Sequence, residues 1–173
     1  MRPVLQYTVS PLTSELADEL EAAASCALVG DGSCSAANCK MSCFAGEACA
    51  DGRAPDTSLA ELLSSNHAFI ARTNDATPRF AGCVGASDAR SVARIFPHIL
   101  VRSGDLLLTT LCVDSHFRGE GVGRQLVDAV LALHAPKTYL MVRRTSDEHV
   151  ARLRATYDRL HFCECGSCDR YLL

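Results

Sequence analysis

The sequence predicts a mixed α/β (α+β) domain, and three observations carry that prediction. Apolar residues recur every three to four positions at Leu12, Leu16, Leu20 and Ala23, and again at Val122, Leu126, Val127, Val130 and Leu131. That is the period of a helix with one buried face. Short β-branched and aliphatic runs lie between such stretches, the longest being DLLLTTLCV from Asp105 to Val113. At Val113 this run passes through a glycine-rich turn directly into a helical pattern, VDSHFRGEGVGRQLVD, the kind of junction that joins the layers of such domains.

Taken in order, Gln6 to Val9 reads as an opening strand, with Ser10 as helix cap and Pro11 as first-turn proline. The helix that follows carries Glu15, Glu19 and Glu21 between its apolar positions, and its acidic start suits the positive end of a helix dipole. From Val29 to about Pro55 the composition shifts to Gly, Ala, Ser and Cys without a sustained period, so residues 29–55 read as a Cys-rich insertion. Asp56-Thr57-Ser58 opens a short second helix through Leu59, Leu62 and Leu63. Ala68 to Ala71 and Phe80 to Val84 read as strands, joined by Asn74-Asp75-Ala76-Thr77-Pro78, which has hairpin-turn chemistry. Ile95 to Val101 has no decisive period. Asp105 to Val113 is continuous enough for a central strand covered on both faces.

His134-Ala135-Pro136 closes the helix after the glycine turn, and Thr138 to Val142 is a further strand. Ser146 caps a last helix whose inward face is Val150, Leu153, Tyr157 and Leu160. Phe162 to Glu164 and Arg170 to Leu173 then pair as a closing hairpin around Gly166-Ser167. No internal repeat is present, and 173 residues suit a single domain spanning 1–173.

Composition narrows the function. The net charge is −3 and no basic run interleaves with aromatics, which argues against a nucleic-acid partner held through phosphates. No apolar run reaches the roughly 18 to 20 residues that span a bilayer, and the first residues lack the apolar core of a secretory signal. The expectation is a soluble, cytoplasmic protein without a membrane partner. Ten cysteines include Cys26, Cys34, Cys39, Cys43 and Cys49, irregularly spaced, and the denser Cys163-Glu-Cys165-Gly-Ser-Cys168. The latter, with His161 or another cysteine, has the ligand types of a zinc site. It lacks a partner half-site, and reduced cysteines acting as small buried hydrophobes or exposed thiols are the stronger reading. No metal is expected.

Three glycines in five positions (119, 121, 123) before a helix are pliable backbone where the helix's first N–H groups lack partners. Such a loop holds anions on main-chain amides. Two nucleotide readings fail. A P-loop needs Gly-Lys followed by Ser or Thr, and Gly123 is followed by Arg124-Gln125. A dinucleotide fingerprint starting at Gly119 needs glycine at position 124, which is Arg.

The arrangement that remains, Arg118-x-x-Gly121-x-Gly123 after an aliphatic strand ending at Val113, resembles the coenzyme A signature of the GCN5-related N-acetyltransferase (GNAT) superfamily. The element order is similar over nearly the whole chain, which implies a GNAT-like mixed sheet of about six to seven strands with flanking helices. By that resemblance, the backbone of Leu111, Cys112 and Val113 holds the pantetheine arm of acetyl-CoA. The amides of Arg118, Gly119, Glu120, Gly121, Val122, Gly123 and Arg124 cradle its diphosphate. Arg118 and Arg124 add charge or point to solvent, and Glu120 should aim its carboxylate outward. The Val113 N–H is the implied oxyanion donor.

The implied activity is acetyl-CoA-dependent N-acetylation of a primary amine by direct attack through a tetrahedral intermediate. Such chemistry needs a base for the amine, donors for the oxyanion and a proton for the leaving thiolate. Tyr157 falls on the tyrosine that members use as general acid toward sulfur, although a packed core tyrosine has the same pattern. His161 replaces the usual glycine of that segment, and Val150 replaces a frequent asparagine. Leu107 stands where some members carry a glutamate base. Asp105 lies two residues earlier, at the strand's start; Asp114, His116 and His98 are the possible bases, each more readily a solvated loop residue, and a water chain would serve as well.

The 29–55 segment, with Asp31, Glu47 and Asp51, either borders the acceptor pocket and draws a cationic amine or has no role. The acceptor is a small molecule or a peptide or protein amine, and the chain a monomer or homodimer. Two rivals stand beside the enzyme: a catalytically silent CoA-binding module or sensor of the same fold, and a zinc-dependent interaction module.

Overall fold

Apolar side chains on both faces of a sheet demand cover on both faces, and the chain supplies it from different segments. The computed structural model describes residues 6–18, 62–143, 147–167 and 171–172. Strands β1 (Tyr7–Pro11), β2 (His67–Thr73), β3 (Phe80–Asp88), β4 (Leu106–Val113) and β5 (Thr138–Leu140) form one sheet in that order. Neighbours are antiparallel except β4 and β5, which are parallel. Two short strands, β6 (Val142–Arg143) and β7 (Tyr171–Leu172), pair separately. The described residues also include helices α1 (Arg90–Ile95), α2 (Val122–Leu131) and α3 (Asp147–Asp158) and a 3-10 turn at Ser115–Phe117. The described strands thus divide as a sheet of five and a separate pair rather than one sheet of six or seven.

On one face, Val122, Leu126 and Val130 of α2 pack with Phe117 on Ala71, Val84, Ala86, Leu106 and Leu108. On the other, Leu62, Ile70, Phe80 and Cys83 form a cluster with Leu12, Leu16 and Cys112, while Val92 and Phe96 cover Leu107 and Tyr139. β4 is therefore covered on both sides, as its continuous apolar run requires.

One irregularity positions the site. Gly85 pairs with Thr110 but Ala86 pairs with Leu108, so Thr109 is an extra residue bulged out of β4. Gly85 makes room for it: a Cβ there would lie 2.7 Å from the Thr109 hydroxyl and 2.5 Å from that of Ser65, which bond each other at 3.0 Å. A bulge bends its strand and shifts the alternation of its side chains. Leu106 and Leu108 face α2 before it, and Leu111 and Val113 face α2 after it. The β4–β5 ladder stops at Leu108–Leu140, just short of the bulge, whereas pairing with β3 continues to Val113. β4 and β5 part company there.

Several expectations need correction. Ser10 and Pro11 belong to β1, where they pair with Ile70 and Phe69, and the Leu12 N–H continues the contact to the Ala68 carbonyl at 2.8 Å. Proline tolerates this edge strand because it has no N–H to leave unpaired. The helical turn at 14–18 is capped instead by Thr13, whose Oγ1 accepts the Leu16 N–H at 3.4 Å. The untyped stretch at 95–101 begins at the end of α1 and continues as turns. Residues 138–142 are interrupted at Met141, splitting β5 from β6. β7 pairs with β6 rather than with 162–164, which carry no strand. Leu20, Ala23, the 29–55 segment, Ser146, Arg170 and Leu173 lie outside the described residues. No helix among the described residues is long and apolar enough to cross a membrane.

Candidate active site

The site grows from the end of β4. Beyond Val113, the Asp114 N–H donates to the Ala81 carbonyl at 2.9 Å, extending the β3 pairing by one bond. Its carboxylate accepts from the His116 N–H and from His116 Nδ1, both at 2.9 Å, and its carbonyl accepts the Phe117 N–H at 2.9 Å. This is an Asx turn closing one 3-10 turn, Ser115–Phe117. Asp114 is only 5% exposed and is a turn builder, not a solvated loop residue. Phe117 is buried under the loop, and the Arg118 Nε donates to the Val113 carbonyl at 3.1 Å, tying the loop to the strand it leaves.

Gly119 and Gly121 have φ of 83° and 84°. That left-handed region costs an L-residue roughly 1–2 kcal/mol, so glycine is required by conformation. Space does not require it, since a Cβ at either position would meet nothing within 4 Å. Gly121 is the N-cap of α2, whose first bond runs from the Gln125 N–H to the Gly121 carbonyl at 3.1 Å. The Val122, Gly123 and Arg124 amides make up the opening turn, where N–H groups lack intrahelical acceptors and the dipole is positive. Such an opening turn, reached beyond the end of β4, is the kind of backbone that can receive an anion.

Side chains around the loop divide its charge. Glu120 accepts a hydrogen bond from the Tyr7 hydroxyl on β1. Tyr7 meets Phe117 edge to face at 6.0 Å, and the Arg79 guanidinium lies 5.2 Å from the centre of the same ring. Burial, and then the Glu120 carboxylate, push the Tyr7 hydroxyl up to about 12, against a lowering influence from Arg79. Arg124 lies 3.7 Å from Asp128, an exposed pair one helical turn apart that contributes little to stability. With Arg159, His161, Thr138 and Phe162, these two line a cavity of about 250 Å³ between α2 and the end of α3.

Tyr157 sits on α3, half-buried against Leu140, Val142, Val150 and Leu153. Its ring meets Phe162 edge to face at 6.1 Å. It opens onto a larger cavity of about 500 Å³ that runs along β5 and includes Arg154, Asp158, His161 and Glu164. Thr138, His161 and Phe162 border both cavities, and Gly119 to Gly123 border neither of the two. Tyr157 therefore faces the larger cavity and Arg124 the smaller, with a shared wall between them.

That wall is built by the end of α3. The Phe162 N–H donates to the Tyr157 carbonyl at 3.1 Å and the His161 N–H to the Asp158 carbonyl at 3.0 Å, with His161 at φ 65°. This is a Schellman cap, and the Tyr157–Phe162 contact is its accompanying hydrophobic pair. Histidine thus occupies the left-handed position that glycine fills more cheaply.

Other candidates fall elsewhere. Leu107 is 5% exposed in the cluster with Phe96 and Tyr139. The fully buried Asp105 holds the turn into β4: its Oδ2 accepts the Arg102 N–H at 2.8 Å, and Oδ1 has no partner among the described residues. It lies about 20 Å along the strand from Leu111 at 3.3 Å per residue, too far to serve as a base there. His98 is exposed and packs on Phe96, whereas His116 stays exposed beside the loop. Cys163 and Cys165 are exposed free thiols, and no metal-binding cluster of three or more His, Cys, Asp or Glu occurs among the described residues. Sequence reasoning missed Tyr7 and Arg79, which no local pattern marks, because they reach the loop only through the β1–β2–β3 pairing.

Comparisons agree with this architecture. The model of the acetyltransferase (GNAT) family matches residues 40–162. An aminoglycoside N-acetyltransferase, AAC(6')-Iy, solved with CoA, shares the fold with a TM-score of 0.58 at 16% identity, covering 97% of this chain and 95% of that one. The ribosomal-protein-S18-alanine N-acetyltransferase from Escherichia coli gives 0.54 at 14% identity, covering 96% and 90%. Arabidopsis thaliana Naa50, bound to the bisubstrate analogue CoA-Ac-MVNAL, gives 0.52 at 15% identity, covering 96% and 94%. No curated protein sequence matches the chain.

Proposed function

Because the chain belongs to the acetyltransferase (GNAT) family, we propose that it transfers an acetyl group from acetyl-CoA to a primary amine, with the cofactor's diphosphate on the 118–124 loop. The observation that carries this reading is the pair of left-handed glycines, 119 and 121, opening α2 where β4 has separated from β5. Two glycines held at a conformational cost, with free space where side chains would stand, suit a backbone that a ligand approaches closely.

Acetyl-CoA supplies the activated thioester; the protein binds, orients and moves protons. Leu111 to Val113 would run beside the pantetheine arm, past the end of the β4–β5 ladder. The Val113 N–H would donate to the oxyanion as the amine adds, the amine's proton would leave through a water chain to solvent, and the Tyr157 hydroxyl would protonate the departing thiolate. Arg118 acts through the Val113 carbonyl and holds the loop, leaving Arg124 and Arg159 as the cations nearest the small cavity. The acceptor is a small molecule or a peptide or protein amine, and the Cys-rich 29–55 insertion of the single domain would border its pocket.

A second reading, a silent CoA-binding module, is favoured by two observations: Leu107 is buried where a carboxylate base would stand, and Tyr157 is half-buried against side chains of β5, β6 and α3. Thiol release from acetyl-CoA with a panel of amines separates the two. An enzyme releases CoA in an amine-dependent way and loses most of that rate in Tyr157→Phe. Saturable CoA binding with no amine-dependent release would establish the module, and absence of CoA binding would overturn both.

A further inference from the structure

Glu120 is the one acidic residue in the loop from Arg118 to Arg124, and it sits between the two glycines that shape the cradle. A carboxylate facing the same amides as a diphosphate would compete for them and repel the ligand. Tyr7 bears on this conflict. Its hydroxyl donates to Glu120 from β1, the edge of the sheet farthest from β5, and so from the β4–β5 opening. The donor is held from several directions: its ring stands edge-on to Phe117, the buried residue at the loop's root, and its strand is paired along Tyr7–Pro11 with β2. Arg79, whose guanidinium lies over the Phe117 ring, pairs with Asp75 at 3.2 Å, so its charge is partly engaged.

We propose that Tyr7 is a positioning residue for the cofactor loop: by binding the Glu120 carboxylate against β1, it keeps the loop's negative charge off the amides that receive the diphosphate. The hydroxyl remains a donor throughout the physiological range, because burial and the carboxylate itself favour its protonated form. The tie also spans 113 residues, so it anchors the loop to the far edge of the sheet as well as directing its charge. This inference rests on the acetyl-CoA reading above.

Calorimetric titration of the full chain with CoA tests it. Tyr7→Phe keeps the ring and its packing on Phe117 but releases the carboxylate, and CoA binding should weaken about tenfold at low salt, the scale of one unscreened unit charge within several ångströms of a phosphate. Glu120→Asp, which keeps the charge but shortens its reach, should weaken binding similarly. It serves if Tyr7→Phe fails to fold. In Tyr7→Phe/Glu120→Gln the charge is gone and the lost affinity should return, and the Tyr7→Phe deficit should shrink at about 0.5 M salt. A purely structural role would show no recovery and no salt dependence, and either result overturns the proposal. So does wild-type affinity in Tyr7→Phe, while leaving the cofactor reading intact. Failure of the wild-type chain to bind CoA removes both.

Discussion

Replacing His161 with glycine should stabilise this protein. His161 is the C′ residue of α3, at φ 65°, with the Phe162 N–H returning to Tyr157 and its own N–H to Asp158. A non-glycine residue in that region carries a penalty of roughly 1–2 kcal/mol. Glycine removes it but adds unfolded-state freedom costing roughly 0.5–1 kcal/mol. The His161 side chain is exposed, so little packing is forfeited. The difference favours His161→Gly by about 0.5–1 kcal/mol, which for a domain of this size raises the melting temperature by about 1–4 °C. Thermal and urea melts should agree in sign. Leu160→Gly, one position earlier where φ is not positive, should be destabilising and serves as the control. An unchanged or lower melting temperature in His161→Gly would refute the capping argument.

Three further outcomes follow from contacts around the site. Gly82→Ala would place a Cβ 2.6 Å from the Cys112 backbone oxygen and 3.1 Å from Leu126 Cδ1, so it should cost about 1–3 kcal/mol in urea melts and distort β4 beside Val113. Asp114→Ala leaves the His116 N–H without its acceptor and should lower stability by about 1–2 kcal/mol, while Asp114→Asn should recover most of that. For Tyr7, a folded-state value raised from 10.0 to about 12 means its contribution is complete below pH 10 and is lost as pH rises through 12. The stability of Tyr7→Phe should therefore fall less steeply across that window.

What the chain revealed in one dimension depended on how locally each feature is determined. β4, α2 and the β2–β3 hairpin were legible because apolar period and turn chemistry act over a few residues: the continuous run to Val113, the Val122–Leu131 stripe, and Asn74 to Pro78. The glycine loop was legible for the same reason, since Gly119 and Gly121 are needed by the backbone at those very positions. The bulge at Thr109 was not, because it exists only in register with Gly85 on β3. Nor was the course of Ser10 and Pro11, whose cap-like chemistry is overridden by pairing with β2. Thr138 to Val142 looks uniform, yet its two halves belong to different sheets, a division set by partners distant in sequence. The Tyr7–Glu120 tie is the extreme case, since neither residue's neighbours signal the other.

Backbone amide shifts followed by NMR during addition of CoA test the central claim most directly. The account predicts that the amides of Gly119, Gly121, Val122, Gly123 and Arg124 move most and together, saturating with one ligand per chain. Saturable CoA binding that leaves those five signals in place would contradict it.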